Sequence, residues 1–122
     1  GAERLGHGVR AIEDPALVAY LAEHRIPLEI NPTSNIRLGV YPSMATHPLR
    51  RLYDAGVIVT INSDDPPLFN TTLTEEMTLL TEAFSCDLMR TNDILLNAVK
   101  YSFMPDAQKK KMEATFKKEM KA

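Results

Sequence analysis

The chain has 122 residues, 44% hydrophobic and 25% charged, with one cysteine and a formal net charge of −2 at pH 7. These values fit one soluble globular domain and exclude a disulfide-rich scaffold, because Cys86 has no internal partner and is expected to be a small buried apolar residue. No apolar run long enough to span a membrane and no signal-peptide pattern occurs, so we expect no membrane partner and a reducing, cytoplasmic compartment.

The first predicted unit is a short strand over residues 3–5, followed by Gly6-His7-Gly8 and then a helix. We expect the helix to begin at Asp14-Pro15, because aspartate is a favoured N-cap and proline suits the first helical position. His24 is expected near the end of this helix and is assigned to no metal. Taken alone, His7 between two glycines has either a structural role in a turn or a role at a site.

The second unit has a strand over residues 27–30 and then the polar run 31–35, Asn-Pro-Thr-Ser-Asn. We expect Thr33-Ser34-Asn35 within this run to form loop hydrogen bonds that shape the rim of a site, with substrate contact as the minor alternative. A helix is predicted to open near His47-Pro48, and Gly56 is its expected end. Arg50 and Arg51 are interpreted as a solvated face of that helix, and His47 is assigned to no metal.

The third unit has an apolar strand over residues 57–61, the acid pair Asp64-Asp65, and a helix starting near Thr74. Glu75 and Glu76 lie in the first turn of that helix, where negative charge suits the helix dipole. A strand, a polar tip and a helix thus occur three times in succession. This order is typical of consecutive βα units on a parallel sheet, so the predicted fold class is α/β.

The C-terminal segment is basic, because all seven lysines lie at or beyond Lys100. Residues 100–122 carry a net charge of +4, and the rest of the chain therefore carries −6. Met112, Phe116 and Met120 form one apolar stripe at helical spacing. We expect a terminal helix docked on its own domain with a solvated charged face, in preference to a helix that binds nucleic acid or an anionic surface.

The acid pair Asp64-Asp65 is the most informative feature of the sequence. In parallel α/β folds, the groups that do chemistry lie just past the carboxyl ends of the strands. Two adjacent carboxylates repel each other, so a bound ion or a substrate proton is a common reason for their presence. The structural alternative is a cap in which Ser63 or Asp64 accepts hydrogen bonds from backbone N–H groups before Pro66.

Four motifs, in this order and spacing, resemble the closing motifs of the adenosine deaminase family of the amidohydrolase superfamily. They are Arg4-Leu5-Gly6-His7-Gly8, the run Glu29-Ile30-Asn31-Pro32-Thr33-Ser34-Asn35, the pair His47-Pro48, and Ser63-Asp64-Asp65-Pro66 followed by Phe69. The resemblance covers nearly the whole chain. One departure is Asn31, which occupies a position that is often cysteine in the family.

The resemblance implies a zinc enzyme on an eight-stranded βα barrel of the TIM type, a fold of about 250 residues. The present chain resembles only the last three βα units of such a barrel, followed by a C-terminal helical segment. Residues 1–122 are therefore expected to be one incomplete domain, the C-terminal part of a barrel. The family's His-x-His pair, third zinc histidine and His-Ala-Gly-Glu segment do not occur in the sequence.

The resemblance also implies roles for individual residues. Asp64 corresponds to the aspartate ligand of Zn²⁺, which is catalytic as well. His7 corresponds to the catalytic histidine that orients the attacking hydroxide, and Asp65 corresponds to the residue that binds the purine ring at N7. Gly6 and Gly8 would allow the backbone and the ring to approach a ligand closely.

The implied reaction is the hydrolytic deamination of an adenine-containing purine nucleoside or base, with release of ammonia. Adenosine, adenine and an adenine-bearing futalosine derivative all stay open as substrates. With one zinc ligand of four, the isolated chain is expected to be inactive. The alternative is a non-catalytic α/β module, and in either case self-association through the exposed strand edges 3–5 or 57–61 is expected.

Overall fold

The computed structural model describes residues 1–85 and 87–121, so the expectation for Cys86 concerns a residue outside the described part of the chain. The described elements alternate between short strands and helices, as the sequence predicted. They are β1 (Leu5–Gly6), a 3₁₀ helix (Val9–Glu13), α1 (Pro15–Glu23), β2 (Leu28–Ile30), α2 (Pro32–Arg37), α3 (Leu49–Asp54), β3 (Val59–Ile61), α4 (Pro66–Phe69), α5 (Leu73–Ala83), α6 (Leu88–Lys100) and α7 (Asp106–Glu119).

The three strands form one parallel sheet in the order β1-β2-β3. Leu28 of β2 lies opposite Leu5 of β1 on one side and opposite Val59 of β3 on the other. Leu28 and Val59 are completely buried. All three residues of β3 are buried, as expected of a strand covered on both faces, whereas β2 alternates between the buried Leu28 and Ile30 and the partly exposed Glu29.

Each strand is shorter than predicted. Residues 27, 57 and 58 lie just before the paired segments, and β1, at Leu5–Gly6, starts two residues later and ends one residue later than predicted. Pro27 still contributes its carbonyl, which accepts a hydrogen bond from the Leu5 amide at 2.9 Å. The ladder therefore continues into residues that lie outside the assigned strands.

Helix boundaries follow the predicted signals in two places. The Asp14 carboxylate accepts hydrogen bonds from the amides of Ala16 and Leu17, so α1 begins where the Asp-Pro pair indicated. Gly56 follows the end of α3 with φ of +85°, and its amide donates to the Tyr53 carbonyl. Glycine tolerates this left-handed backbone well, so it ends the helix as predicted.

The prediction that residues 33–35 form a loop is wrong, because they lie on α2. Asn31 precedes α2, and Pro32 occupies the first turn of that helix. The signal is the same proline position that marked α1, but the cluster of small polar residues favoured a loop. Placing these residues on a helix fixes the direction of their side chains.

The free edge of β3 is partly covered by α6, because the Asn97 side chain donates to the Val59 carbonyl at 3.1 Å. The neighbouring carbonyl of Ile58 bonds to β2, so the Val59 carbonyl faces the opposite edge. Self-association through an edge of the sheet stays a prediction. The bond from Asn97 makes β1 the less protected of the two predicted edges.

The terminal helix α7 contacts α6, as expected of a helix docked on its own domain. Phe116 and Met120 are partly buried, whereas Met112 is 40% exposed. The predicted apolar stripe is thus only partly covered. Within the described residues, no helix is long and apolar enough to span a membrane.

Glu76 connects α5 to the rest of the fold. Its side chain is completely buried, and its carboxylate accepts hydrogen bonds from the Thr33 amide at 3.1 Å and the Thr71 hydroxyl at 2.6 Å. The neighbouring Glu75 is exposed. The sequence predicted a dipole role for both glutamates, but only the structure separates the buried one from the solvated one.

We predict that Glu76→Ala lowers the free energy of unfolding by about 2 kcal/mol, because it removes the buried carboxylate that accepts from the Thr33 amide and the Thr71 hydroxyl. Glu75→Ala is the matched control and should change it by less than about 0.5 kcal/mol. Urea denaturation followed by circular dichroism measures both. Equal effects of the two substitutions would contradict the assigned role of Glu76.

Candidate active site at the strand ends

His7 and Asp64 come together where β1 and β3 end. His7 Nε2 lies 3.7 Å from Asp64 Oδ2, and the two side chains are 44% and 34% exposed. Both residues have left-handed backbone conformations, with φ of 57°. Such angles are uncommon for residues other than glycine, so each chain segment turns sharply as it leaves its strand.

A hydrogen bond at His7 and close packing at Gly8 fix the backbone where it leaves β1. The His7 amide donates to the Glu29 carbonyl at 2.9 Å, which continues the β1–β2 ladder to the site. Gly8 follows with φ of +71°, and a Cβ atom there would lie only 2.6 Å from Leu28 Cδ2. Gly8 is therefore required by both its backbone angle and its packing, whereas a Cβ atom at Gly6 would meet open space.

Ser34 holds the Asp64 carboxylate in place. Its hydroxyl donates to Asp64 Oδ2 at 2.8 Å, and Ser34 itself is 1% exposed. Because Ser34 lies on α2, the helix after β2 supports an acid that follows β3. A cavity of about 560 Å³ opens above these groups, lined by His7, Glu29, Asn31, Asn62 and Asp64 among others.

The other side of the His7 ring faces two asparagine amides. Asn31 Nδ2 lies 3.2 Å from His7 Nδ1 and 3.4 Å from Nε2, and it also donates to the Glu29 carbonyl at 3.1 Å. Asn35 Nδ2 lies 3.4 Å from His7 Nδ1. Asn31 thus contacts the candidate catalytic ring directly, at the position where this chain departs from the family's frequent cysteine.

Behind Asn35 lies a buried histidine. His47 Nε2 is 3.0 Å from Asn35 Oδ1, and the Leu49 amide donates to His47 Nδ1 at 3.1 Å. Burial lowers the pKa of His47 to about 4, so the ring is neutral at pH 7. The prediction that His47 opens a helix is correct, but it did not include the contact between His47 and Asn35.

Asp65 lies apart from this cluster. Its Oδ1 atom accepts a hydrogen bond from the Leu68 amide at 3.1 Å, so Asp65 is the N-cap of α4. The alternative prediction, that the acid-pair segment caps a helix, is therefore correct. The capping residue is Asp65, however, and not Ser63 or Asp64. The two acids have different surroundings, since Asp64 bonds to Ser34 and Asp65 bonds to backbone.

The sequence indicated His7, Asp64 and Asp65, and the structure brings the first two together. It adds Ser34, Asn35 and His47, which are buried and polar. The sequence did contain a signal for Ser34 and Asn35, because they belong to the series of polar residues that starts with Asn-Pro directly after β2. Because these residues were assigned to a loop, their inward direction could not be inferred.

The described residues, 1–85 and 87–121, contain no group of three or more histidine, cysteine, aspartate or glutamate side chains placed to hold a metal. Asp64 is nevertheless suited to supply one oxygen ligand. It is short, lies at a strand end, and has only one of its two oxygens bonded to Ser34. The other ligands of a zinc ion would have to come from outside these residues.

Comparison with known proteins identifies the family. Residues 1–119 match the family profile described as adenosine deaminase. The chain belongs to the adenosine deaminase family. It is 48% identical over 111 residues to an adenine deaminase of Rhizobium leguminosarum bv. trifolii, covering 91% of this chain and 34% of that protein. It is 44% identical over 113 residues to an aminodeoxyfutalosine deaminase of Streptomyces avermitilis, covering 93% and 32%.

Solved structures agree with this membership. The crystal structure of adenine deaminase from Arthrobacter aurescens superposes with a TM-score of 0.94 at 30% identity, covering 99% of this chain and 37% of that one. An amidohydrolase from Burkholderia ambifaria with bound Zn superposes with a TM-score of 0.87 at 25% identity, covering 98% and 34%. The predicted fold, a parallel partial barrel with flanking helices, is confirmed, and the chain spans about a third of the length of the relatives it matches.

The low pKa of His47 predicts a pH dependence of stability. The folded pKa of about 4 lies below the unfolded value of 6.5, so the unfolded chain takes up a proton first as the pH falls. The stabilisation is therefore complete above pH 6.5 and is lost progressively towards pH 4. The charged groups nearby, Arg50, Arg51 and Glu82, line a neighbouring cavity with His47.

We expect the His47→Gln protein to lack this pH-dependent part of the stability. Glutamine keeps a donor for Asn35 but does not titrate. Urea unfolding of both proteins at several pH values between 4 and 8 gives the measurement. The stability difference between wild type and variant should be constant above pH 6.5 and shift against the wild type below it. A difference that is independent of pH would contradict a buried neutral His47.

Proposed function

We propose that this chain forms the C-terminal part of the active site of a zinc-dependent enzyme that deaminates an adenine-containing purine by hydrolysis. The observation that carries the proposal is the approach of His7 Nε2 to Asp64 Oδ2, 3.7 Å apart at the ends of β1 and β3. In the reaction, a bond forms between water oxygen and the ring carbon. The bond from that carbon to the exocyclic nitrogen breaks, and ammonia leaves.

Asp64 would hold the zinc ion through one carboxylate oxygen, while Ser34 keeps the carboxylate in position. When bound, zinc lowers the pKa of a water molecule so that it can act as a nucleophile near neutral pH. The zinc reported in the Burkholderia ambifaria amidohydrolase supports this cofactor. Because Asp64 supplies a single ligand, we propose that the 122-residue chain alone is inactive.

His7 would orient the attacking water, since its ring faces both Asp64 and the open cavity. Asp65 would bind the purine ring at N7. Its Oδ1 atom is engaged by the Leu68 amide, which holds the carboxyl group in a fixed direction and leaves the second oxygen for a ligand. These roles assign catalysis to His7 and Asp64 and substrate binding to Asp65.

The substrate class is an adenine-bearing small molecule. The two named relatives, an adenine deaminase and an aminodeoxyfutalosine deaminase, support this class. Neither a nucleic acid nor a membrane is part of the proposal. Adenine is the first substrate to test, because the relative that carries its name is 48% identical to this chain.

A chimera tests the proposal directly. The present chain replaces the matching third of the Rhizobium leguminosarum adenine deaminase, and zinc content and ammonia release from adenine are measured. We expect a folded, zinc-containing chimera that deaminates adenine. A chimera that folds and binds zinc but turns over neither adenine, adenosine nor the futalosine derivative would contradict the proposal.

Substitutions in the chimera separate the two acids. Asp64→Asn should lower both zinc occupancy and kcat/KM, the latter by about 100-fold or more, because it removes a metal ligand. Asp65→Asn should keep zinc bound and lower kcat/KM alone. Asp93→Asn is the control, since Asp93 is exposed and accepts a hydrogen bond from the Tyr53 hydroxyl, and it should change neither. Normal zinc content and turnover in Asp64→Asn would overturn the assignment.

A further inference from the structure

A path of buried polar groups leads from the start of α3 to the His7 ring. The Leu49 amide contacts His47 Nδ1 at 3.1 Å, and His47 Nε2 contacts Asn35 Oδ1 at 3.0 Å. Asn35 is 2% exposed and His47 is 7% exposed. The proposed reaction uses neither residue, yet both lie directly behind the candidate catalytic histidine.

The direction of each hydrogen bond in this path follows from its fixed end. A backbone N–H can only donate, so His47 Nδ1 must accept from Leu49 and carries no proton. The neutral His47 ring therefore carries its proton on Nε2 and donates to Asn35. This bond requires the Asn35 oxygen to face His47, which turns the Asn35 NH₂ group towards His7.

The last step reaches only one nitrogen of His7. Asn35 Nδ2 contacts His7 Nδ1 at 3.4 Å. Asn31 Nδ2 lies at similar distances from both ring nitrogens, 3.2 and 3.4 Å, so it does not select between them. An NH₂ donor facing Nδ1 requires that nitrogen to be unprotonated in the neutral ring.

We propose that Asn35 and His47 are positioning residues that hold neutral His7 in the tautomer with its proton on Nε2, the nitrogen that faces Asp64. His7 then presents a hydrogen-bond donor to the cavity. The group that orients His7 is the Asn35 amide, and His47 fixes the direction of that amide. The tautomer stands on the contacts alone, while its use in deamination rests on the proposed function. Neither Asn35 nor His47 lines the cavity beside His7, so both act on this ring from behind it.

Nitrogen NMR of the 122-residue chain, labelled with ¹⁵N-histidine, measures the tautomer of each ring. The spectra are recorded at a pH of about 8, and the nitrogen shifts themselves distinguish the two neutral tautomers from the cationic ring. We expect His7 and His47 to carry the proton on Nε2. His24 is an internal control with the opposite tautomer, because its Nδ1 lies 3.0 Å from the Tyr20 carbonyl and must donate to it.

Asn35→Asp tests the cause of the tautomer. The substitution keeps an acceptor for His47 but replaces the donor at His7 with an oxygen, so Nδ1 of His7 should become protonated, a change in its proton occupancy of about tenfold. Asn70→Asp is the matched control on an exposed residue and should leave His7 unchanged. The amide spectrum of each variant reports whether the fold is kept.

Two results would overturn the inference: a wild-type His7 with its proton on Nδ1 or mixed between both nitrogens, or an unchanged His7 in a folded Asn35→Asp chain. If Asn35→Asp does not fold, the wild-type tautomer and the folded His47→Leu chain decide; leucine offers Asn35 no donor, so this chain should show a mixed His7. A folded, zinc-containing chimera that is inactive on all three substrates, together with a His7 that keeps its proton on Nε2, would overturn the proposed function and leave this inference standing.

Discussion

The parallel pairing of β2 with both neighbouring strands is the constraint on which the rest of the structure depends. Its register places Leu28 between Leu5 and Val59, and therefore fixes which residue emerges at the carboxyl edge of each strand. A shift of one residue would move every side chain to the opposite face. The buried core on both faces makes such a shift unfavourable, so the sheet determines the site.

The chain leaves β1 and β3 in the same way. His7 and Asp64 both adopt left-handed backbone angles, which cost on the order of 1 kcal/mol for such residues. In each case a hydrogen bond opposes that cost: the His7 amide bonds to β2, and the Asp64 carboxylate bonds to Ser34. Local strain thus turns two side chains towards each other at the point where the proposed chemistry takes place.

The sequence predicted the strands, the cap at Asp14 and the end of α3 at Gly56, because each has a local signal in hydrophobicity, capping or backbone freedom. It did not predict α2, where small polar residues favoured a loop although Pro32 marked a helix start. It also could not distinguish Glu76 from Glu75, or Asp65, which caps α4, from Asp64, which bonds to Ser34. These differences depend on burial and on partners more than twenty residues away, such as Thr33 and Ser34.

Dependence on a partner from another element also explains why the role of His47 was only partly predicted. A histidine before proline is a plausible helix start, and that prediction was correct, but its bond to Asn35 crosses between two elements. Resemblance to the deaminase family indicated His7 and Asp64 as candidates, which the fold brings within 3.7 Å of each other, whereas the polar residues behind them are seen only in the fold. The site is consequently a two-layer arrangement, in which α2 and the start of α3 support groups carried by the strand ends.

Amide hydrogen exchange in the 122-residue chain tests most directly the claim that the sheet holds the site. The amides of His7 and Asn62 donate to carbonyls of β2, each at 2.9 Å, immediately beside the candidate site. We predict that they exchange at least about 100-fold more slowly than the amide of Thr46, which lies in an exposed turn. Exchange of His7 and Asn62 as fast as that of Thr46 would contradict a site held by the strand ladder.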